Sequence, residues 1–258
     1  MSSGSMSSGN MKILAIDTAT EACSAALLID GEIKAEYKIA PREHSRLILK
    51  MVDQLLADAG LIVAELDAIA FGRGPGSFMG LRIAAGVVQG IAFAHDIPVI
   101  PISTLKTIAQ RAFEQTQNKN ILVAIDARMD EVYWCAYFLE DNQWLSDAEE
   151  QVISPDLVSL PERLSRSDTP WVGAGTGWKS YKERLLSTAD CQEGELPTGK
   201  RGSPGGLQTI LPECLPSAEV IVKLAADEFS AGNTVIAAEA IPVYLRNDVA
   251  KKPKPFIL

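Results

Sequence analysis

Short apolar runs alternate with stretches of helical spacing along most of this chain. Lys12 to Thr18 (KILAIDT) and Ala22 to Ile29 each predict a strand, and in Glu32 to Ile39 the residues Ile33, Ala35, Tyr37 and Ile39 share one side. Asp30-Gly31 between the last two marks a hairpin, because both residues tolerate the positive φ of a two-residue turn. From Glu43 to Ala59 the period becomes helical, with Leu47, Ile48, Met51, Val52, Leu55, Leu56 and Ala59 apolar and Gly60 as the stop. A buried strand, Ala68 to Phe71, then enters the loop Gly72-Arg73-Gly74-Pro75-Gly76-Ser77, and a helix runs from near Phe78 to His95. A strand at Ile97 to Ile100 and a helix from Ser103, as its cap, to about Gln115 follow.

After a polar hinge, Gln115 to Asn120, the pattern restarts. Leu122-Val123-Ala124-Ile125-Asp126 echoes Ile13-Leu14-Ala15-Ile16-Asp17. Strands are expected at Glu131 to Leu139, about Gln143 to Ile153 and Trp171 to Ala174, with a helix at about Pro155 to Leu164. Glu193 to Gly206 has almost no apolar content and reads as a mobile loop. A helix from Ser217 to about Phe229 and a segment from Ala240 to Val249 complete the chain. A three-strand meander followed by alternating helix and strand, given twice, predicts an α/β protein of two ribonuclease-H-like lobes. The first is expected over 11–116, completed by 217–258, and the second over 117–216.

The helix ending at His95 carries a second message. Between Leu81 and Ala94 its only strongly polar residues are Arg82 and Gln89, seven apart on one narrow stripe. A helix lying on a sheet needs one apolar face, and one apolar nearly all round must be covered twice. Its outer face is therefore a candidate partner surface, weighed against burial within one large domain. Gly86 and Gly90 would let another helix approach closely. The helix from Glu43 extends its apolar arc through Leu49 and is expected to share the contact. Leu47, Met51, Leu55, Leu81, Ala84, Val88 and Ile91 are the expected interface residues. The Phe78 to His95 segment reads as too short and too interrupted to span a bilayer.

Composition adds limits. The chain has 258 residues, 47% of them hydrophobic, enough for a large core. The first ten, MSSGSMSSGN, read as an added tag with Met11 as the natural start, since no apolar run follows. Asp and Glu number 33 against 24 Lys and Arg, and the net charge of −9 makes the surface a poor match for phosphate backbones. Only the tail Lys251-Lys252-Pro253-Lys254-Pro255 is locally basic. Cys23, Cys135, Cys191 and Cys214 form no CxxC and no short pairing, which argues against a disulfide framework or thiolate metal site and fits a reducing cytoplasm.

The glycine-rich turns are the candidate chemistry. A loop opening a helix offers backbone N–H groups to an anion, which makes Asp17, Thr18, Gly74, Gly76, Ser77, Gly173 and Gly175 candidate nucleotide or phosphate contacts. Spacing favours plain tight turns. No Lys-Ser/Thr follows for a P-loop, the dinucleotide pattern lacks its third glycine, and Pro75 and Met79 flank Ser77 where a nucleophile elbow needs glycines.

Gly74-Pro75-Gly76-Ser77-Phe78-Met79-Gly80-Leu81-Arg82 closely resembles the GPGSFTGLR signature of the bacterial TsaB (YeaZ) family, with Met79 in place of the usual threonine. Ala15-Ile16-Asp17-Thr18, His44-Ser45, Asp126-Ala127-Arg128 and Pro242-Val243-Tyr244-Leu245-Arg246 extend the likeness over most of the chain. The resemblance implies the actin, Hsp70 and sugar-kinase (ASKHA) architecture. It also implies a cytoplasmic supporting subunit for threonylcarbamoyladenosine (t6A) formation in tRNA. The implied partners are the transferase TsaD as a heterodimer, the small ATPase TsaE, and a second copy of itself. Contact with tRNA would be indirect, and no membrane is implied.

Two catalytic alternatives lack the residues they need. A glycoprotease-like hydrolase of the TsaD type would hold metal with two histidines four apart, but His44 and His95 are the only histidines and Ile48 stands four after His44. An ATP-binding phosphotransferase would need glycine beside its first Asp, and Asp17-Thr18-Ala19-Thr20 has none. No catalytic residue, metal ligand or resident cofactor is therefore expected, with weak ATP or ADP and magnesium at the cleft or complex interface left open.

Overall fold

The computed structural model describes residues 11–162, 170–188 and 206–246. Two sheets organise it. The first has the order β3-β2-β1-β4-β5, formed by β1 (Lys12–Asp17), β2 (Ala22–Ile29), β3 (Glu32–Ile39), β4 (Ala68–Gly74) and β5 (Val99–Ser103). β1, β2 and β3 are an antiparallel meander, while β4 and β5 run parallel to β1. The hairpin is set by Asp30 and Gly31, with φ of 51° and 87°. β1 and β2 read as apolar runs because both faces are covered. Leu14 and Ile16 pack under α1 (His44–Ala59) and α2 (Phe78–His95), and Ile13 and Ala15 under α6 (Ala218–Ser230). Gly60, at φ 65°, ends α1.

The second sheet repeats the plan. β6 (Asn120–Arg128) pairs antiparallel with β7 (Glu131–Glu140) on one side and parallel with β10 (Trp171–Ala174) on the other. β11 (Leu207–Leu211), not anticipated from the sequence, continues the parallel side and takes the place that β5 has in the first sheet. α3 (Thr104–Thr116) covers one face through Leu105, Ile108 and Ala112. α4 (Gly177–Ser180) and α5 (Lys182–Thr188) cover the other, where Trp178 and Leu185 meet Trp171. The molecule is therefore an α/β protein of two lobes with matching, ribonuclease-H-like strand orders.

Three expectations are corrected. The single strand over Gln143 to Ile153 is two, β8 (Gln143–Leu145) and β9 (Gln151–Ile153), both paired with β7. Between them Glu150 turns inward to accept hydrogen bonds from the hydroxyls of Ser103 and Tyr137. The helix expected from Pro155 is a 3₁₀ turn, Pro155–Leu157, and its end beyond Glu162 lies outside the described residues. α3 follows the first sheet in sequence yet lends its apolar side to the second, because it and α6 lie between the two sheets, tied by Lys223 and Glu114 at 3.2 Å. The expected mobile loop, except Gly206, and the basic tail also lie outside the described residues.

Candidate functional site

The glycine-rich turn closes on the chain's own backbone. Ser77 N–H donates to Ala19 O at 2.7 Å, and the Thr18 hydroxyl donates to Gly80 O at 2.7 Å. A β-carbon on Gly80 would lie 2.0 Å from Thr18 O, so only glycine lets the start of α2 settle on the β1–β2 turn. Ser77 N–H and the space beside Gly80 are thus taken up by the chain itself.

Asp17, at the end of β1, is fully buried. Its Oδ1 accepts from Ala19 N–H at 3.2 Å, and its Oδ2 has no partner among the described residues. Burial pushes its pKa up to about 7. Asp126, the equivalent of Asp17 in the second lobe, is satisfied instead, accepting from Arg128 N–H at 2.8 Å and Ser180 Oγ at 3.0 Å. The nucleotide expectation is corrected accordingly. Asp17, Thr18, Gly74, Gly173 and Gly175 are buried, with the Trp178 ring packed against Gly173, and only Gly76 and Ser77 of that set reach open space.

That space is a cleft of about 1070 Å³ between the lobes. Its first-lobe wall includes Arg42, His44, Ser77, Phe78 and Arg82, its second-lobe wall Asp126, Tyr133 and Lys179, and Tyr244 and Arg246 border both. The segment 240–246 straps the lobes together. Val243 N–H donates to Arg73 O at 2.7 Å, and Arg246 binds Glu131 and, at 3.2 Å, Arg128 O. Among the described residues no group of three or more His, Cys, Asp or Glu could hold a metal ion.

The second surface is the outer side of α2. Leu81, Ala84 and Val88, with Met51 and Leu55 of α1, are at most 6% exposed, and all but Leu81 belong to the core cluster under the first sheet. Their assignment as interface residues is corrected: they face inward, whereas Leu47 and Ile91 are half-buried at the edge. The outward stripe is Met79, Ile83, Gly86, Gly90 and Phe93, with Met79 63% and Phe93 84% exposed. Among the described residues nothing lies within 4 Å of a β-carbon placed on Gly86 or Gly90. Apolar periodicity could not choose between faces of a helix apolar all round, but the paired glycines mark the open one. At 18 residues and a mean hydropathy of 1.3, α2 is long and apolar enough, by length and composition alone, to cross a membrane, contrary to expectation. Its inner face is nevertheless committed to the core.

Over 250 residues, 95% of this chain, 42% are identical to the tRNA threonylcarbamoyladenosine biosynthesis protein TsaB of Escherichia coli (strain K12), of which 99% is covered. The chain belongs to the TsaB family. The TsaB of Haemophilus influenzae is 41% identical over 257 residues, covering 95% of this chain and 98% of that protein. Among solved structures, YeaZ from Pseudomonas aeruginosa superposes with a TM-score of 0.79 at 42% identity, over 91% of this chain and all of that one. A second Pseudomonas aeruginosa structure, of an uncharacterised protein described as similar to peptidase YEAZ, matches equally, over 92% of this chain. Residues 33–173 also match the family model described as TsaD, tRNA N6-adenosine threonylcarbamoyltransferase. The TsaB signature thus occupies the turn that joins the cleft wall to α2. Tyr244 meets Phe78 there, a contact with no local trace in the sequence because the two segments lie so far apart along the chain.

Proposed function

We propose that this protein is a non-catalytic subunit of the machinery that makes t6A in tRNA. It works with TsaD and TsaE in transfer of the threonylcarbamoyl group to N6 of adenosine 37 in tRNAs reading ANN codons. The observation that carries this reading is the 42% identity with TsaB of Escherichia coli over 95% of the chain. The non-catalytic part is supported by the first-lobe turn, which closes on Thr18 and Ala19 of the chain itself. The partner part is supported by the exposed apolar stripe of α2, whose glycines admit a close helix. TsaD is the proposed occupant of that stripe, and a second copy of the chain is its competitor when TsaD is absent.

Mixing the protein with TsaD and measuring mass by light scattering tests this. A one-to-one complex is expected to form at the expense of self-association, and the protein alone is expected to turn over neither ATP nor peptides. Failure to associate, together with turnover by the isolated protein, would overturn the reading.

A further inference from the structure

Arg82, the last residue of the signature, is held in place without a carboxylate. Its guanidinium lies over the Phe78 ring, 4.0 Å from the centroid, and its Nε–H donates to the Tyr244 hydroxyl at 3.3 Å. Phe78 and Tyr244 pack on one another at 5.3 Å between centroids, so the support is itself fixed. Among the described residues no Asp or Glu pairs with Arg82, in a chain that carries a net charge of −9. Both Nη groups are left with no hydrogen-bond partner among those residues, at the mouth of the cleft. A guanidinium oriented this way presents the planar fork that matches a carboxylate, and its rotamer entropy has already been spent.

The surroundings indicate what brings the carboxylate. Phe78, Met79 and Tyr244 are all exposed around Arg82, and Met79 begins the apolar stripe that continues along α2 to Phe93. An arginine and aromatics set together on an exposed apolar surface have the composition of a protein-interface hot spot. The net charge of −9 over the whole chain favours a protein partner over a nucleic acid.

We propose that Arg82 is the polar anchor of the α2 surface and receives an Asp or Glu of the docking protein, flanked by large apolar residues that cover Phe78, Met79 and Tyr244. The proposal rests on the reading that α2 docks a protein, and adds the chemistry of what it recognises. Tyr244 and Phe78 act as positioning residues for the fork, so the strap from the end of the chain helps to shape the interface.

The test is the Kd for TsaD at several NaCl concentrations, for the wild type, Arg82→Gln, Arg82→Lys and, as a control on α6 at the other side of the first sheet, Lys223→Gln. Arg82→Gln is expected to bind about tenfold more weakly with a shallower salt dependence, and Arg82→Lys to recover only part of the loss. Lys223→Gln should match the wild type, and thermal melts should show all variants folded. An Arg82→Gln variant with the wild-type Kd and salt slope would overturn the proposal while leaving the docking reading intact. A wild type that does not bind TsaD would overturn both, and that result is visible before any variant is compared.

Discussion

A β-carbon on Gly72 would stand 2.1 Å from Asp17 Oδ2, so the Asp17 carboxyl occupies space that β4 leaves by having glycine there. The group is packed into the junction of β1, β4 and α6, where Ile221 also approaches the Gly72 site. Its pKa of about 7 follows from that burial, which disfavours the charged carboxylate.

Stability should therefore depend on pH through Asp17. With the folded pKa near 7 and a reference value of 3.8, the native state holds a proton that the unfolded chain loses between those values. The contribution of Asp17 is most favourable below about pH 4, falls as pH rises to about 7, and is then constant at a penalty of about 4 kcal/mol. Urea melts of the wild type and Asp17→Asn from pH 4 to 8 measure it. The variant is expected to gain stability relative to the wild type as pH rises, and a pH-independent difference would refute the assignment.

Two glycines of α2 should respond to alanine in opposite directions. Gly80→Ala drives a β-carbon into Thr18 O and is expected to cost about 1–3 kcal/mol by overpacking. Gly86→Ala meets nothing within 4 Å and should stabilise the free protein by up to about 1 kcal/mol through helix propensity. The same Gly86 substitution should weaken TsaD binding if a helix packs there. Denaturant melts and a binding titration separate the two effects.

Phe93→Glu should leave the melting temperature close to that of the wild type, since the side chain is 84% exposed, yet reduce association with TsaD and with itself. Val88→Glu would unfold the first lobe instead, because Val88 is in the core. Light scattering alongside thermal melts distinguishes these outcomes, and unchanged association of Phe93→Glu would remove α2 from the interface.

The sequence was most informative where a single local force decides the structure. β1 and β2 stand out because burial on both faces leaves unbroken apolar runs, and α1 ends where Gly60 permits a left-handed φ. β11 escaped notice because Leu207–Leu211 is short, includes Gln208 and Thr209, and follows a long polar stretch. The inner and outer faces of α2 were exchanged because hydrophobicity marks burial without saying what provides it. Asp17 and Thr18 looked like nucleotide contacts because the backbone approach of Gly80 to Thr18 spans 62 residues of chain and has no local trace. The Arg82–Tyr244 contact spans 162 and is equally hidden.

The most direct test of the central claim is reconstitution of threonylcarbamoyl transfer to tRNA from TsaD, TsaE and the adenylate-forming enzyme, with and without this protein. Modification that requires the protein, with the Phe93→Glu variant defective in proportion to its lost binding, is the expected result. Full modification without it, or ATP or peptide turnover by the protein alone, would contradict the account and return attention to the cleft as an active site.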